Sequence, residues 1–145
     1  HDLITPLHAC MIAGAIANDG VMMEPKLLYS VSSSLKTTYS VTPSAAATPV
    51  GSSAAGKLKE MMIGAVKNGT GKKAALKHYT VGGKTGTAEI ADGDTNAEHA
   101  WFVGFVDDDE HPLAIAVILE KAGSGGSNAA PAAKKVLTRA IDLGY

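Results

Sequence analysis

The sequence predicts an α+β fold, a three-stranded antiparallel sheet packed with helices. Three features of the chain predict it. Leu58, Met61, Met62, Ala65 and Val66 stand at i, i+3, i+4, i+7 and i+8, one face of a helical repeat. Residues 79 to 120 hold three apolar runs joined by polar turns, and short connections of that kind make an antiparallel meander. Helical stretches precede and follow those runs in the chain, so helices are expected to pack on the sheet.

The first helix is expected over residues 5 to 18, as a buried one. Thr5 can cap it, and Pro6 suits the first helical position, where its missing N–H would be unpaired anyway. Leu7, Met11, Ile12, Ala15 and Ile16 spread apolar surface around the cylinder. Asn18-Asp19-Gly20 stops it, with Gly20 free to turn left-handed. Residues 21 to 31 read as extended chain, and Pro25 argues against a central strand. Residues 32 to 56 are rich in Ser, Thr, Ala and Pro and read as a long surface excursion with a short strand near Tyr39 to Thr42.

The helix over 53 to 68 has Ser52 or Ser53 as its cap, Lys67 in its last turn and Gly69 as its stop. Its Met61 and Met62 are expected in the core. The strands are Tyr79 to Ile90, Ala97 to Val106 and Leu113 to Glu120. Asp107-Asp108-Asp109-Glu110 is the turn between the last two, and Asp92-Gly93-Asp94 is a further turn. Gly123-Ser124-Gly125-Gly126 reads as a flexible joint. A final helix from about Ala129 to Leu143 is capped by Ser127 or Asn128, carries Pro131 in its first turn, and turns Ala133, Val136, Leu137 and Ala140 inward.

Composition narrows the function classes. The 145 residues suit one domain, and 46% are apolar, enough for a real core. The formal net charge of -1, with no basic half, gives no footprint for nucleic acid. No stretch approaches the roughly 18 apolar residues of a membrane span. The start His1-Asp2-Leu3 has no basic leader region, which suggests a trimmed piece of a longer chain. Cys10 is the sole cysteine, so no internal disulfide or zinc-cysteine cluster is expected. His1, His78 and His111 show no metal-ligand spacing, and neither a metal nor a cofactor is expected. Asp107 to Glu110 lacks the alternating ligands and central glycine of a calcium loop.

The segment richest in chemistry is Val81-Gly82-Gly83-Lys84-Thr85-Gly86-Thr87-Ala88-Glu89. Strand alternation puts Thr85 and Thr87 on one face and Lys84 on the other. Gly86 lets a backbone or ligand approach closely, and Gly82-Gly83 permits a bulge that brings Lys84 round. Two hydroxyls, an ammonium and free backbone N–H groups suit an anionic substrate and an oxyanion formed in acyl transfer. A phosphate loop is excluded. It needs a glycine five positions before the Gly of Gly-Lys-Thr, and that position is His78. Gly71-Lys72 fails too, with Val66 at the glycine position and Lys73 in place of Ser or Thr.

Gly83-Lys84-Thr85-Gly86-Thr87-Ala88-Glu89 resembles the Lys-Thr-Gly motif of penicillin-binding proteins and serine β-lactamases. Ala100-Trp101-Phe102-Val103-Gly104-Phe105 resembles the next strand of class B penicillin-binding proteins. Asn68-Gly69-Thr70-Gly71, Ile4-Thr5-Pro6-Leu7 with Ala17-Asn18-Asp19-Gly20, and Ala130-Pro131 are similar to that family as well, in the family's order. Residues 32 to 56 match poorly and look like a divergent surface insertion.

The resemblance implies a C-terminal part of a transpeptidase domain, spanning 1–145. Its substrates would be peptidoglycan stem peptides ending in D-Ala-D-Ala, with β-lactams as mimics. It implies that Lys84 supplies positive potential and organises the catalytic network. Thr85 and Thr87, with Gly86 between them, would bind the terminal carboxylate, and the Thr87 N–H would form half of an oxyanion hole. The family's nucleophile lies in Ser-x-x-Lys, followed by Ser-x-Asn and then Lys-Thr-Gly. Here Ser33-Ser34-Leu35-Lys36 is the one Ser-x-x-Lys, in a polar stretch and after the opening segment that should follow it; no Ser-x-Asn occurs. The chain is therefore expected to lack the nucleophile and to be inactive alone, within a membrane-anchored parent working outside the cytoplasmic membrane. A truncated domain would also expose apolar surface that invites self-association. The alternatives are a D,D-carboxypeptidase or β-lactamase fragment, and a non-catalytic peptide-binding or sensor module. His99 is expected to be structural or at the surface, His8 partly buried, and Glu89 either paired with a neighbouring strand or closing the site.

Overall fold

A computed structural model describes residues 3–34, 36–89 and 98–145. The centre is an antiparallel sheet of β5 (Val81–Glu89), β6 (Glu98–Val106) and β7 (Ala114–Leu119), in that spatial order. The expected α+β meander is therefore present. The expected ends at Ile90 and Ala97, the Asp92 to Asp94 turn, and His1 lie outside the described residues. The register is unbroken from Val81↔Val106 to Glu89↔Glu98, so Gly82-Gly83 makes no bulge. Those glycines answer a different need. A Cβ on Gly82 would lie 2.3 Å from Phe105 Cζ, and one on Gly83 2.3 Å from Phe102 Cζ. The two rings lie across β5, and only a residue without a side chain leaves them room.

Helix α3 (Ala130–Asp142) closes one sheet face. Its Ala130, Ala133 and Leu137 form one core with Val81, Ala100, Phe102, Val106 and Ile115 of the sheet. Val136, expected inside, is 55% exposed, because the buried line follows 130, 133 and 137. A turn of π-helix, Gly125–Ala129, runs straight into α3. Neither Ser127 nor Asn128 caps the helix; instead, the Asn128 amide donates to the Ala122 carbonyl at 2.6 Å. The Gly-rich segment is no loose joint: a Cβ on Gly125 would meet the Trp101 carbonyl oxygen at 2.2 Å and the Gly86 carbonyl oxygen at 2.3 Å.

Helix α1 (Pro6–Ala17) starts as expected, with Thr5 Oγ1 accepting from the His8 N–H at 3.2 Å and Pro6 in the first turn. Gly20 has φ +93° and ends it. It packs through Ala9, Ala13 and Ala15, and Gly14 lies 3.6 Å (from a Cβ placed there) from Ala114 of β7. It is only half covered: Leu7 is 59% exposed, and His8 is exposed rather than partly buried. Helix α2 (Ser52–Lys67) is entered at Gly51 with no side-chain cap, so neither serine serves. Its buried residues are Ala55 and Val66, and Met61 is 68% exposed, so the inward line is rotated from the expected one.

The extended stretch 21 to 31 and the excursion after it fold together into two small pairings. β1 (Met22–Met23) pairs with β4 (Ala45–Ala47), and β2 (Ser30–Ser32) with β3 (Thr37–Ser40). The second is an exposed hairpin, starting before the expected strand at Tyr39. No helix among the described residues is long and apolar enough to cross a membrane.

Candidate acyl-transfer site

β5 is the edge strand of its sheet, so alternate N–H and C=O groups along Lys84 to Thr87 face away from β6. The register sets Thr85 and Thr87 opposite Phe102 and Ala100, and Lys84 opposite Val103, so the two threonines share a face and Lys84 takes the other. Lys84 and Thr87 are exposed, whereas Thr85 is 8% exposed. Lys84 reaches round without a bulge, its Nζ donating to the Thr85 carbonyl. The long lysine stem does what local backbone distortion was expected to do. The ammonium thereby stays beside the strand that carries both threonines.

The Thr85 hydroxyl lies 2.7 Å from that of Thr70. Thr70 belongs to the turn after α2, which is pinned by the Gly69 N–H (3.1 Å) and Gly71 N–H (3.0 Å), both donating to the Ala65 carbonyl. A 3₁₀ turn, Lys72–Ala74, follows and buries Ala74 in the core. On the other side Gly125 presses on Gly86, and a Cβ on Gly126 would lie 2.8 Å from the Thr70 carbonyl oxygen. The close approach is permitted by Gly125, whose Cβ would meet the Gly86 carbonyl oxygen at 2.3 Å; a Cβ on Gly86 itself would meet only the Trp101 Cβ, at 3.3 Å. The sequence reading missed Thr70 as a contact of Thr85, and took Gly125-Gly126 for flexibility. The signal was present in both places as glycines flanking a polar turn, which mark close approach as often as mobility.

The remaining candidates lie elsewhere. The His99 Nδ1 accepts from the Lys121 N–H at 3.1 Å and so braces the end of β7, a structural role. Trp101 and Phe102 point to opposite faces, with Phe102 fully buried. Glu89 is exposed opposite Glu98 at the sheet's end. The Asp108 Oδ1 accepts from the Glu110 and His111 N–H groups, both at 3.0 Å, which closes the turn, while Asp107 Oδ1 accepts from the Lys59 ammonium at 3.0 Å. Ser33 is exposed in the β2–β3 turn, where its N–H donates to the Lys36 carbonyl at 2.8 Å and its Oγ accepts from the Lys36 N–H at 3.2 Å. No cluster of metal-ligating side chains occurs among the described residues. A cavity of about 700 Å³, with Cys10, Lys59 and Asp107 in its wall, opens at the Val106 end of β6. Thr85 and Thr87 pair with Phe102 and Ala100, farther along the same strand. Burial beside that cavity pushes the Cys10 thiol pKa up.

The edge strand β5 thus holds an ammonium and two hydroxyls, braced on both sides by glycine turns. The chain belongs to the penicillin-binding protein transpeptidase domain family, whose model matches residues 2–138. It is 32% identical to the peptidoglycan D,D-transpeptidase PbpA of Mycolicibacterium smegmatis, over 97% of this chain and 30% of that protein. The D,D-transpeptidase domain of a peptidoglycan glycosyltransferase from Eggerthella lenta superposes with a TM-score of 0.83 at 34% identity, over 96% of this chain and 32% of that one. Penicillin-binding protein A of M. tuberculosis, solved as an imipenem acyl-enzyme complex, superposes with a TM-score of 0.82 at 33% identity, over 95% and 31%. The chain thus spans about a third of the length of the relatives it matches.

Proposed function

We propose that residues 1–145 are the C-terminal, substrate-cradling part of a D,D-transpeptidase domain that cross-links peptidoglycan stem peptides and is acylated by β-lactams. The carrying observation is the exposed edge of β5, where Lys84 and Thr87 stand open and Thr85 is held in place from behind. The reaction is acyl transfer. A serine oxygen bonds to the carbonyl carbon of the penultimate D-Ala, and the terminal D-Ala leaves with the proton on its amine. An amine of a second stem then displaces the serine. In this reading Lys84 supplies positive potential, Thr85 and Thr87 bind the terminal carboxylate, and Gly86 keeps the strand open. The Thr87 N–H stabilises the oxyanion, a donor whose loss costs about 3 kcal/mol in measured hydrolases.

The nucleophile is assigned to a part of the domain that precedes these residues, because the Lys-Thr-Gly motif comes last in the family's order. The half-covered face of α1 and the residues just before it, with Leu3, Ile4 and Leu7 exposed, suit docking of that part. Left alone, the same face favours self-association. Residues 32 to 56, most of them exposed, fit a surface insertion. The parent is placed at the outer face of the cell membrane, anchored there, as its cell-wall chemistry requires.

Intact-mass measurement after incubation with a labelled penicillin checks the proposal. Residues 1–145 alone should gain no mass, whereas the full-length protein should gain one penicilloyl group. Its Lys84→Ala variant should be acylated roughly 100-fold more slowly, the scale of a lost electrostatic contact at such a site. An adduct on Ser33 would make this chain an enzyme in itself, and a full-length protein without an adduct would leave a binding module.

A further inference from the structure

Thr85 is the buried polar side chain of the described residues, 8% exposed, and its hydroxyl lies 2.7 Å from that of Thr70. Each hydroxyl has one hydrogen to give, and either of the two can be the donor. The choice decides what Thr85 offers an anion. If Thr85 donates to Thr70, it meets an arriving carboxylate with lone pairs alone, and the contact is repulsive. If Thr70 donates to Thr85, the Thr85 hydrogen is free for the carboxylate, and the accepted bond polarises the donor further.

We infer that Thr70 is a positioning residue: it donates to Thr85 and so turns the Thr85 hydrogen toward the substrate carboxylate. This rests on the reading of β5 as a carboxylate cradle. The brace on Thr70 is rigid enough for the task. The Gly69 and Gly71 N–H groups both hold the Ala65 carbonyl, at 3.1 and 3.0 Å, so the turn closes on the end of α2. Gly126 lies against the Thr70 carbonyl so closely that a Cβ there would come within 2.8 Å. The Thr70 backbone is therefore held from two sides, and the relay Thr70 to Thr85 to carboxylate starts from a hydroxyl already presented to Thr85 before an anion arrives.

The test uses the full-length protein with Thr70 native, Thr70→Val and Thr70→Ser, with Thr70→Ala as second variant should the valine form fail to fold. Acylation rates are measured with a penicillin and with its methyl ester, which lacks the anionic carboxylate. Thr70→Val should slow acylation by the free acid about ten-fold, the scale of one lost hydrogen bond to a charged partner. It should leave the ester rate unchanged, and Thr70→Ser should restore the acid rate. Equal slowing of acid and ester, or no slowing of either, overturns the relay. Native protein that takes up neither compound overturns the transpeptidase reading itself, and the relay with it.

Discussion

The sheet half of the molecule and the arm from residue 22 to 47 are built from opposite materials. In the sheet half, Phe102, Phe105 and Val106 are fully or almost fully enclosed, and glycines and alanines let helix and strand backbones meet them. In the arm, Leu27, Tyr29 and Val31 are exposed, and the strands are held by backbone pairing and a few exposed polar contacts. In the function proposed above, β5 must keep two hydroxyls and an ammonium fixed while a substrate comes and goes, and the enclosed rings beneath it hold that strand in place. The exposed arm is expected to tolerate change more readily.

Paired truncations would break this comparison if it is wrong, and they carry the largest expected effect. Phe102→Ala opens a cavity beneath β5 and should cost about 3–5 kcal/mol of unfolding free energy. Tyr29→Ala, at a site 79% exposed, should stay within about 0.5 kcal/mol. Urea denaturation of the two variants measures both, and similar losses would show that the arm is as integral as the sheet.

Gly125→Ala tests the glycine side of the same contrast. The added methyl would sit 2.2 Å from the Trp101 carbonyl oxygen, a backbone atom that cannot step aside. Overpacking of this kind costs about 1–3 kcal/mol. Because the displaced backbone is that of Gly86 and Trp101, acylation of the full-length protein should slow as well. Gly56→Ala, where nothing lies within 4 Å of the new Cβ, is the control and should be neutral or stabilising. A drop in stability without any change in acylation would detach the π turn from the site.

The three strands and the motif on β5 were legible because period-two alternation and turn chemistry are local properties of the chain. The start of α1 was legible for the same reason: Thr5 and Pro6 act on their own neighbours. What was not legible depends on contacts between distant segments. Gly82-Gly83 looks like a bulge until the rings of Phe102 and Phe105 are placed over it. Gly125-Gly126 looks flexible until Gly86 and Thr70 are found beneath it. Met61 and Val136 match an apolar stripe by spacing, yet the inward lines are set by small residues as well: Ala133 was expected there, whereas Ala55 and Ala130 carry little hydropathy signal. The Thr70–Thr85 contact spans 15 positions between a turn and a strand, and nothing in either segment names the other.

The arm offers the finest test, because its polar contacts are exposed and should behave as such. The Lys26 ammonium donates to Glu24 Oε2 at 2.5 Å, and the Ser44 hydroxyl donates to the same oxygen at 2.6 Å. Together they hold the Glu24 carboxyl below the usual glutamate range, with the Lys26 hydrogen bond the larger cause. A carboxyl depressed in the folded state adds stability above its unfolded pKa and loses it as pH falls through the folded value. Carboxyl NMR titration of Glu24 should therefore show its pKa rise in Lys26→Met and rise less in Ser44→Ala. Global stability should be unchanged in both, since the group is at the solvent surface and screened. A fall in unfolding free energy in either variant, comparable to that of Gly125→Ala, would mean that the arm is coupled to the sheet after all.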